Sequence, residues 1–509
     1  MKSTKFLCAA VVFSALVLPS TAQQEPTAAP KHHYYKLIDM GTFGGPDSYL
    51  AFPPPGIVLS NQGSVVGIAD TPEMDPFYPN CFNDCVVSYA FRRHDGKLTN
   101  LGALPGAGNS SFSLSQNLSG QAVGISENGL IDPLTGYPEV VVVLWEENGQ
   151  IRNLGTLGGN AGYAQQMNDQ GQVVGYALNT IPDSFVNDFV NGIGGNLWFP
   201  AATQSHAFLW ENGNMRDIGT LGGPDSQAVY INNWGQVIGA SFLDSNPNPP
   251  VTAPGCPTVG IPTEHPFLWQ DGFIDLGSLG GTCGYANWIN NEGRVVGTMT
   301  LTGDSTNHGF VWDGGTLTDL GTLPGGKNSE ALFVNDAGEV VGTSEYSASS
   351  HEHAFLWGKD VGMTDLGVPT ACNQPEFINS KGQIVVGTGC SFDSIGPPFL
   401  WENGVVYNLK KLVLPGSDLS LLTVNSINDQ GEIACAGLRA NGNQHNCVMI
   451  PCDENHPDLE GCDYSMVEAS EATSISPTER EASQRVPPAP LWRHSNRFHF
   501  PGPLVRQTN

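Results

Sequence analysis

Short apolar segments recur along the chain at a regular spacing, and glycine, asparagine or aspartate residues separate them. In the copy around residues 205–240 the segments are Phe208–Trp210, Asp217-Ile218, Ala228–Ile231 and Val237-Ile238. They are short and rich in β-branched and aromatic residues, which favours strands over helices. The pattern therefore predicts a repeated unit of four strands.

Asparagine and glycine mark the connection between the first two strands of the unit. The phrase N-x-x-G recurs at 168–171, 232–235, 290–293, 335–338, 379–382 and 428–431. Asparagine can bond its own backbone and glycine accepts a positive φ, so each phrase predicts a hairpin turn. The third and fourth strands are joined in the same way by E-N-G at 147–149, 211–213 and 402–404.

Eight copies of the unit can be counted on the turn glycine. The glycines are Gly63, Gly120, Gly171, Gly235, Gly293, Gly338, Gly382 and Gly431, spaced 44 to 64 residues apart. Four-stranded units of this length are typical of propeller blades, which stack around an axis. We therefore predict an all-β fold, a β-propeller of eight blades. Seven blades is the alternative if the least regular copy, 42–100, packs differently.

The two ends of the repeat region are complementary. Residues 34–41 resemble the fourth strand of a unit, and residues 446–450, the last recognisable strand, resemble the third. The eighth blade therefore lacks an outer strand that the N-terminal segment can supply. We predict that this pairing closes the ring and leaves no open seam.

The repeated phrases resemble those of a known family. H-A-F-L-W at 206–210 and 353–357, together with the D-L-G-T-L-G-G-like and I-N-x-x-G-x-V-V-G phrases, is similar to the probable extracellular repeat of the HAF family. The resemblance covers about residues 34–450. It implies a secreted bacterial repeat protein and brings no catalytic residue with it. The first, second, seventh and eighth copies depart from H-A-F.

The chain divides by composition into four parts. Two lysines, an apolar run at 6–18 and small residues near Ala22 predict a signal peptide at 1–22. A linker at 23–33 and the propeller at 34–451 follow. Residues 452–509 are rich in Ser, Glu, Thr, Pro and Arg, so we predict a disordered tail there. The expected location is extracellular or periplasmic.

The negative net charge of the chain disfavours some classes of binding partner. The net charge is −28, with 21 Lys and Arg against 49 Asp and Glu, so nucleic acid and anionic membrane surfaces are poor partners. Only 14% of the 509 residues are charged, while 62 are glycine and 37 are proline, which again favours strands and turns. We expect no membrane insertion. A closed ring needs no second copy, so we expect a monomer.

Ten cysteines remain once Cys8 is assigned to the signal peptide, and an oxidising compartment predicts disulfides. Sequence neighbours suggest the pairs, although sequence alone leaves the connectivity open. The neighbouring pairs are Cys81/Cys85, Cys256/Cys283, Cys372/Cys390, Cys435/Cys447 and Cys452/Cys462. The C-x-x-C spacing of zinc sites is missing from the sequence, so we predict no metal.

The repeated polar and aromatic residues are interpreted as structural. One histidine per blade cannot converge with its equivalents on a metal, so a side-chain bond to the adjacent loop is predicted for His206, His265, His308 and His353. The motif tryptophans are predicted to fill the space between blades, namely Trp210, Trp269, Trp312 and Trp357. The L-G-T-L-G-G phrase precedes a strand rather than a helix, so it is interpreted as a crossover and not as a phosphate loop. No cofactor is predicted.

The connection between the second and third strands is long only in the first four blades. These insertions, at about 69–86, 126–138, 178–204 and 243–263, gather over one sector of one face, where repeat proteins usually bind. Their aromatic rings and carboxylates suit a sugar. The candidate ligand residues are Phe77, Tyr78, Phe82, Asp75, Asp183, Phe185, Asp188 and Trp198.

Three functions remain open. The first is a non-catalytic scaffold that binds an extracellular glycan or cell-surface protein through the insertions. The second is a glycan-cleaving enzyme with its acid and base among Asp75, Asp84, Asp183 and Asp188, which requires two carboxyls across a pocket. The third is a purely structural envelope or matrix protein. The aromatic residues have an alternative interpretation too, as anchors that hold the long loops on the scaffold.

Overall fold

The protein is an eight-bladed β-propeller of four-stranded antiparallel sheets, as the sequence predicts. The computed structural model describes residues 31–51, 57–78, 81, 85–192, 200–257, 259–347, 351–390 and 394–469. Each blade contacts the next, and the first blade contacts the eighth, so the sheets form a closed ring. The least regular copy, which motivated the seven-blade alternative, forms a complete blade.

The first blade consists of β3 (Ser48–Tyr49), β4 (Val65–Met74), β5 (Val86–His94) and β6 (Lys97–Asn100), and the second of β7 (Ser111–Gln116), β8 (Ala122–Ile131), β9 (Pro138–Trp145) and β10 (Ile151–Gly155). The third blade consists of β11 (Gly162–Met167), β12 (Val173–Pro182), β13 (Thr203–Glu211) and β14 (Asn214–Gly219), and the fourth of β15 (Ser226–Ile231), β16 (Val237–Phe242), β17 (Glu264–Trp269) and β18 (Phe273–Asp275). A short helix, α1 (Val186–Gly192), lies between β12 and β13.

The fifth blade consists of β19 (Gly280–Ile289), β20 (Val295–Leu301), β21 (Asn307–Asp313) and β22 (Thr316–Asp319), and the sixth of β23 (Ser329–Val334), β24 (Val340–Tyr346), β25 (His351–Gly358) and β26 (Gly362–Asp365). The seventh blade consists of β27 (Asn373–Ile378), β28 (Ile384–Thr388), β29 (Phe399–Glu402) and β30 (Val405–Asn408). The eighth consists of β31 (Leu419–Ile427), β32 (Ile433–Arg439) and β33 (Gln444–Pro451) together with the N-terminal strand β2 (Tyr35–Asp39). The single-turn helix α2 (Leu409–Leu412) follows β30.

The N-terminal strand closes the ring as predicted. β2 pairs with β33 in an antiparallel register that runs from Tyr35 opposite Pro451 to Asp39 opposite Cys447. The Asp39 carboxylate also accepts hydrogen bonds from His445 Nδ1 at 2.9 Å and from Arg439 Nη1 at 2.8 Å. Residues about 400 positions apart in the chain thus form one blade.

Ordered structure extends beyond the predicted boundaries of the propeller. Lys31–His33 forms β1, which pairs with β34 (Met466–Glu468), and a disulfide joins Cys452 to Cys462. The prediction of a linker up to residue 33 and of disorder from Cys452 therefore fails for the described segments 31–33 and 452–469. The predicted signal peptide and the segment 470–509 lie outside the described residues.

Aromatic side chains from four inner strands contact one another on the inner side of the ring. Tyr230 of β15 packs on Trp288 of β19, with ring centroids 3.9 Å apart. Trp288 in turn contacts Phe333 of β23 and Phe377 of β27 at 5.3 and 5.5 Å. The contact between Trp288 and Phe377 passes over a whole blade, so these rings meet close to the axis. Aromatic rings that pack edge to face stabilise such a core beyond their buried area.

All five disulfides join the neighbouring cysteines that the sequence suggests. Cys256–Cys283 ties the fourth insertion to β19, and Cys435–Cys447 joins β32 to β33. Five disulfides are consistent with an oxidising, extracellular environment. None of the described helices is long and apolar enough to cross a membrane.

Cys85 has a role beyond its disulfide. The sequence suggests Cys81 as its partner, and the structure joins the two residues. Cys85 also has a φ of +66°, in the left-handed region that favours glycine. Its carbonyl accepts a hydrogen bond from Asp75 N at 3.1 Å. Cys85 is therefore a turn residue that closes the base of the first insertion directly before β5, as well as a disulfide partner.

The asparagines of the N-x-x-G turns also form hydrogen bonds between blades, which the sequence does not predict. Each asparagine accepts hydrogen bonds within its own turn, as expected: Asn168 Oδ1 accepts from Gln170 N and Gln172 N. Its Nδ2 also donates across the blade boundary to Asn232 O at 3.1 Å. The same bond between blades recurs from Asn232 to Asn290, Asn290 to Asn335, Asn335 to Asn379, Asn379 to Asn428 and Asn428 to Ser60. We call this series of amides the asparagine belt.

Replacing Asn232 by alanine is expected to lower the free energy of unfolding by about 2–4 kcal/mol, because a buried side chain that satisfies several backbone groups is lost. Its amide accepts from Trp234 N and Gln236 N and donates to Asn290 O, each at 3.0 Å. Urea unfolding followed by tryptophan fluorescence measures the loss. Asn214→Ala is the control, since that side chain is exposed and donates only a long bond of 3.4 Å. Equal stability of the two variants would refute a structural role for the belt.

Candidate functional site

The second strand is extended in three consecutive blades. β4, β8 and β12 each have 10 residues, and each ends in three exposed positions. In each strand the register with the third strand shifts across these positions, between Asp70 and Met74, Glu127 and Ile131, and Leu178 and Pro182. We call the three exposed segments, Pro72–Met74, Gly129–Ile131 and Thr180–Pro182, the rib surface. Because the strands share one direction and one register, the ribs project from the same face of neighbouring blades.

The L-G-T-L-G-G crossovers support these ribs. Gly158 has a φ of +102°, and the methyl group of Thr180 lies 3.4 Å from the position that a Cβ would take. A Cβ at Gly159 would lie 2.6 Å from Asn179 O. Gly158 is therefore required by its positive φ, and Gly159 by the close approach of the neighbouring backbone. Thr156 Oγ1 closes the turn by donating to Gly159 O at 2.7 Å. This geometry agrees with the crossover interpretation.

The motif histidines bond to the outer strand of their own blade rather than to a loop. In every case Nδ1 donates to an aspartate at 2.8–2.9 Å, in the pairs His206–Asp217, His265–Asp275, His308–Asp319, His353–Asp365 and His445–Asp39. Burial raises the pKa of Asp217, but the His206 hydrogen bond and charge and the Gly219 N–H outweigh it, so this pKa is lowered. In these five blades the His–Asp pair therefore fixes the residue that begins the crossover.

The motif tryptophans lie in the hydrophobic clusters of the blades. Trp210 shares a cluster with Val123 and Leu144 of the preceding blade, and Trp269 shares one with Val174 and Leu209. Trp312 and Trp357 are partly buried against the large cluster of the later blades. These positions fit the predicted packing between blades.

The first insertion holds Asp75 in a structural position. Asp75 is 3% exposed, and its Oδ1 accepts from Phe77 N at 2.8 Å. Phe77 is partly buried, whereas Tyr78 is 71% exposed. Phe82 and Asp84 lie outside the described residues. Among the described ligand candidates of this insertion, Tyr78 is thus the one with a largely exposed side chain.

The third insertion turns its aromatic residues inward. Phe185 and Phe189 pack on Phe242 of the next blade, with centroids 6.4 and 4.5 Å away. Asp183 Oδ2 accepts from Phe185 N at 2.6 Å and from Val186 N at 2.7 Å, so it caps the start of α1. Phe185 and Asp183 therefore anchor the loop, which is the alternative that the sequence left open. Burial raises the pKa of Asp188, which is partly exposed. Trp198 lies outside the described residues.

Three buried carboxyl groups at the base of the insertions, Glu127, Asp225 and Glu264, were not predicted, and burial raises the pKa of Glu264 well above its ordinary value. Glu127 accepts from Ser110 N at 2.6 Å, and Asp225 accepts from Ser205 N at 2.8 Å. Burial, with the negative charge of Asp75 as a smaller cause, raises the pKa of Glu127 to about 8. Burial, with nearby Asp183, raises the pKa of Asp225 to about 8 as well. No sequence motif distinguishes these residues, because their burial depends on the insertions that cover them.

A small cleft separates the second and third insertions. Its lining includes Thr135, Glu139, Tyr163 and Pro200, and Asn160 Nδ2 donates to Asp132 Oδ1 across it at 2.8 Å. The cavity volume of about 20 Å³ has room for about one water molecule. The described part of this cleft is too small for a sugar ring.

Exposed apolar side chains concentrate on the four insertions. Those on the insertions are Met74, Tyr78, Leu130, Ile131, Leu134, Ile181 and Val259. The most exposed of the aliphatic ones are Met74 at 67%, Leu134 at 64% and Leu130 at 59%. The other exposed large apolar side chains in the described residues lie outside the insertions, on the second, fourth, sixth and seventh blades and on the C-terminal segment. A group of exposed apolar side chains within one sector indicates an interaction surface.

One group of side chains among the described residues brings possible metal donors together. The donor atoms of His351, Cys372 and Cys390 lie within 4.8 Å of one another. Both sulfurs belong to the Cys372–Cys390 disulfide, and a metal needs thiolates. The group is therefore a disulfide with a neighbouring imidazole, in agreement with the pairing that the sequence suggests.

Comparisons with known proteins show likeness in structure alone. No family model matches the chain, and no curated protein matches it. Among solved structures it resembles Porphyromonas gingivalis dipeptidyl peptidase 4, with 8% identity and a TM-score of 0.38 over 73% of this chain and 55% of that one. It also resembles TolB from Acinetobacter baumannii, with 8% identity and a TM-score of 0.31 over 76% and 64% of the two chains.

A Trypanosoma rangeli sialidase, in complex with 2,3-difluorosialic acid, is similar at 10% identity, with a TM-score of 0.30 over 82% of this chain and 58% of that one. The chain therefore spans less than two thirds of the length of each of these structures. Likeness at this level carries no argument about function, and the propeller assignment rests on the sheet topology itself.

Proposed function

We propose that the protein is a secreted, non-catalytic propeller that binds an extracellular protein through its insertion-bearing face. The observation that carries the proposal is the exposed apolar group centred on the rib surface. Three neighbouring blades repeat one extension that is longer than the blade requires, and each extension exposes apolar side chains or the backbone beside them. Burying such side chains against a partner is the main driving force of protein association.

The side chains on the face favour a protein over a glycan. Sugar sites rely on flat aromatic rings, yet Phe185 and Phe189 point into the scaffold and the most exposed side chains of the ribs are aliphatic. Leu130, Ile131 and Ile181 fit apolar side chains of a partner protein better than sugar hydroxyls. The proposal thus keeps the predicted face and changes the preferred ligand.

A glycan-cleaving activity receives less support from the same geometry. It requires two carboxyls that face each other across an open pocket. Asp75 is buried in its loop, and Asp183 caps α1 with one oxygen and lies near buried Asp225. These roles are structural, so Asp75 and Asp183 support a scaffold. Of the described candidate acids this leaves Asp188, which is partly exposed.

The triple variant L130S/I131S/I181S tests the proposal on arrays of extracellular proteins and of glycans. We expect binding to protein spots, weakened about 10-fold or more in the variant, because truncating an apolar anchor typically costs about 1–2 kcal/mol or more. Val361→Ser is the matched control, since this side chain is 81% exposed on the turn between β25 and β26. Unchanged binding in the triple variant, or binding to glycan spots alone, contradicts the proposal.

A further inference from the structure

We infer that the partner of this face presents a basic surface with apolar side chains among its lysines and arginines. The inference rests on the proposed function and specifies its partner class. The evidence is the joint distribution of charge and apolar area over the four insertions, which neither the repeat motif nor the ring requires.

The insertions contain acidic residues but no basic one. The chain has 21 Lys and Arg residues, yet none of them, and no histidine, falls in 69–86, 126–138, 178–204 or 243–263. Glu73 and Asp244 are exposed within the insertions, Asp183 and Asp188 are partly exposed there, and partly exposed Glu139 directly follows the second insertion. A surface of one sign attracts a partner of the other sign and repels its own.

Acidic and apolar side chains lie close together on this face. Glu73 precedes Met74 at the end of β4, and Glu139 lies in the cleft beside the loop that carries Leu134. A purely cationic partner would leave the aliphatic groups in water, and a purely apolar partner would bury carboxylates without a counter-charge, which is costly. A basic partner with interspersed apolar side chains satisfies both.

Three labelled synthetic peptides serve as probes in fluorescence anisotropy with the full-length protein: alternating Lys and Leu, alternating Glu and Leu, and alternating Lys and Ser. We expect the Lys–Leu peptide to bind most tightly, the Lys–Ser peptide about 10-fold more weakly and the Glu–Leu peptide not at all. Salt should weaken the Lys–Leu complex, because the contribution of exposed charges is screened.

Two charge variants separate local recognition from the general negative charge. E73Q/E139Q/D244N neutralises three acids on the face, and E292Q/D360N/D418N neutralises three exposed acids elsewhere. We expect the first to weaken Lys–Leu binding about 10-fold and the second less than about 2-fold, since both change the net charge equally. Equal weakening by the two variants, or tight Glu–Leu binding, overturns the inference.

The failure of the inference and the failure of the proposed function give different results. If L130S/I131S/I181S abolishes protein binding but the face charge variant does not alter it, the face binds a protein that is not basic. If the apolar variant leaves protein binding intact, the proposed function itself is wrong. Circular dichroism and thermal unfolding of each variant verify that the fold is retained.

Discussion

Asp39→Ala is expected to lower the free energy of unfolding by about 2–4 kcal/mol, because the variant removes one partner of a partly buried ionic group. The carboxylate accepts from His445, from Arg439 and from Gly41 N, the last at 2.7 Å. These bonds hold β2 on β33, where no chain connection keeps the strands together. Guanidinium unfolding should show the loss, and limited proteolysis should cut the variant first near residue 40.

Asp217→Ala provides the matched comparison, because Asp217 makes the same histidine and glycine bonds inside a continuous blade. Its side chain is 42% exposed, against 24% for Asp39. We expect a smaller loss of about 1 kcal/mol. If the two variants lose the same stability, closure of the ring does not depend on this contact.

The stability of the protein is expected to fall as the pH rises from about 4 to about 8, by an amount on the order of several kcal/mol. Asp225 and Glu127 have folded pKa values of about 8, raised chiefly by burial from ordinary values of 3.8 and 4.5. The folded state therefore holds protons that the unfolded state has released in this range, and deprotonation favours unfolding. Above about pH 8 this contribution should level off.

The double variant D225N/E127Q should reduce this dependence and exceed the wild type in stability at pH 8. Part of the dependence should remain, because burial also raises the pKa of Glu376 to about 8 and the pKa of Glu264 well above its ordinary value. Each amide oxygen can still accept from the Ser205 or Ser110 N–H. The exposed Asp360→Asn variant is the control and should follow the wild type. Chemical unfolding at several pH values measures the curves. Parallel curves for the wild type and the double variant would show that these carboxyls do not control the dependence.

A separate loss of folding stability is expected at acid pH. Burial raises the pKa of Asp217, Asp275, Asp319 and Asp365, but the bonds to histidine and glycine lower it further, so each folded pKa lies below its ordinary value. A lowered folded pKa contributes stability above the unfolded value, and that stability is lost as the pH falls through the folded one.

The sequence predicts the propeller well because its local signals agree with one another. The N-x-x-G turns, the apolar runs and the E-N-G turns each indicate a strand boundary, and they repeat with little conflict. Ring closure was predictable because strands 34–41 and 446–450 are complementary fragments of one unit. Four of the neighbouring cysteine pairs lie on or next to adjacent strands or within one loop, and Cys256–Cys283 joins an insertion to the first strand of the next blade. The left-handed turn at Cys85 was not predictable, since glycine or asparagine is the usual residue at such a position.

The candidate face was predictable in position but less so in chemistry. Loop length identifies the sector, whereas the direction of a side chain depends on packing between blades. Phe185 is indistinguishable from a ligand residue in the sequence, yet it packs inward on Phe242 of the next blade. The asparagine belt was missed for a related reason. A single turn explains each asparagine, and its second role appears only when the next blade is in place.

The pair of strands β1 and β34 has a mechanical consequence. The pairing is antiparallel, with Lys31 opposite Glu468, so both ends of the described chain leave the ring from one point and in one direction. Tension applied through these ends would break the hydrogen bonds of this pair one after another before any force reached β2. The β1–β34 pair is therefore expected to separate first and to protect the closed ring from forces on its ends.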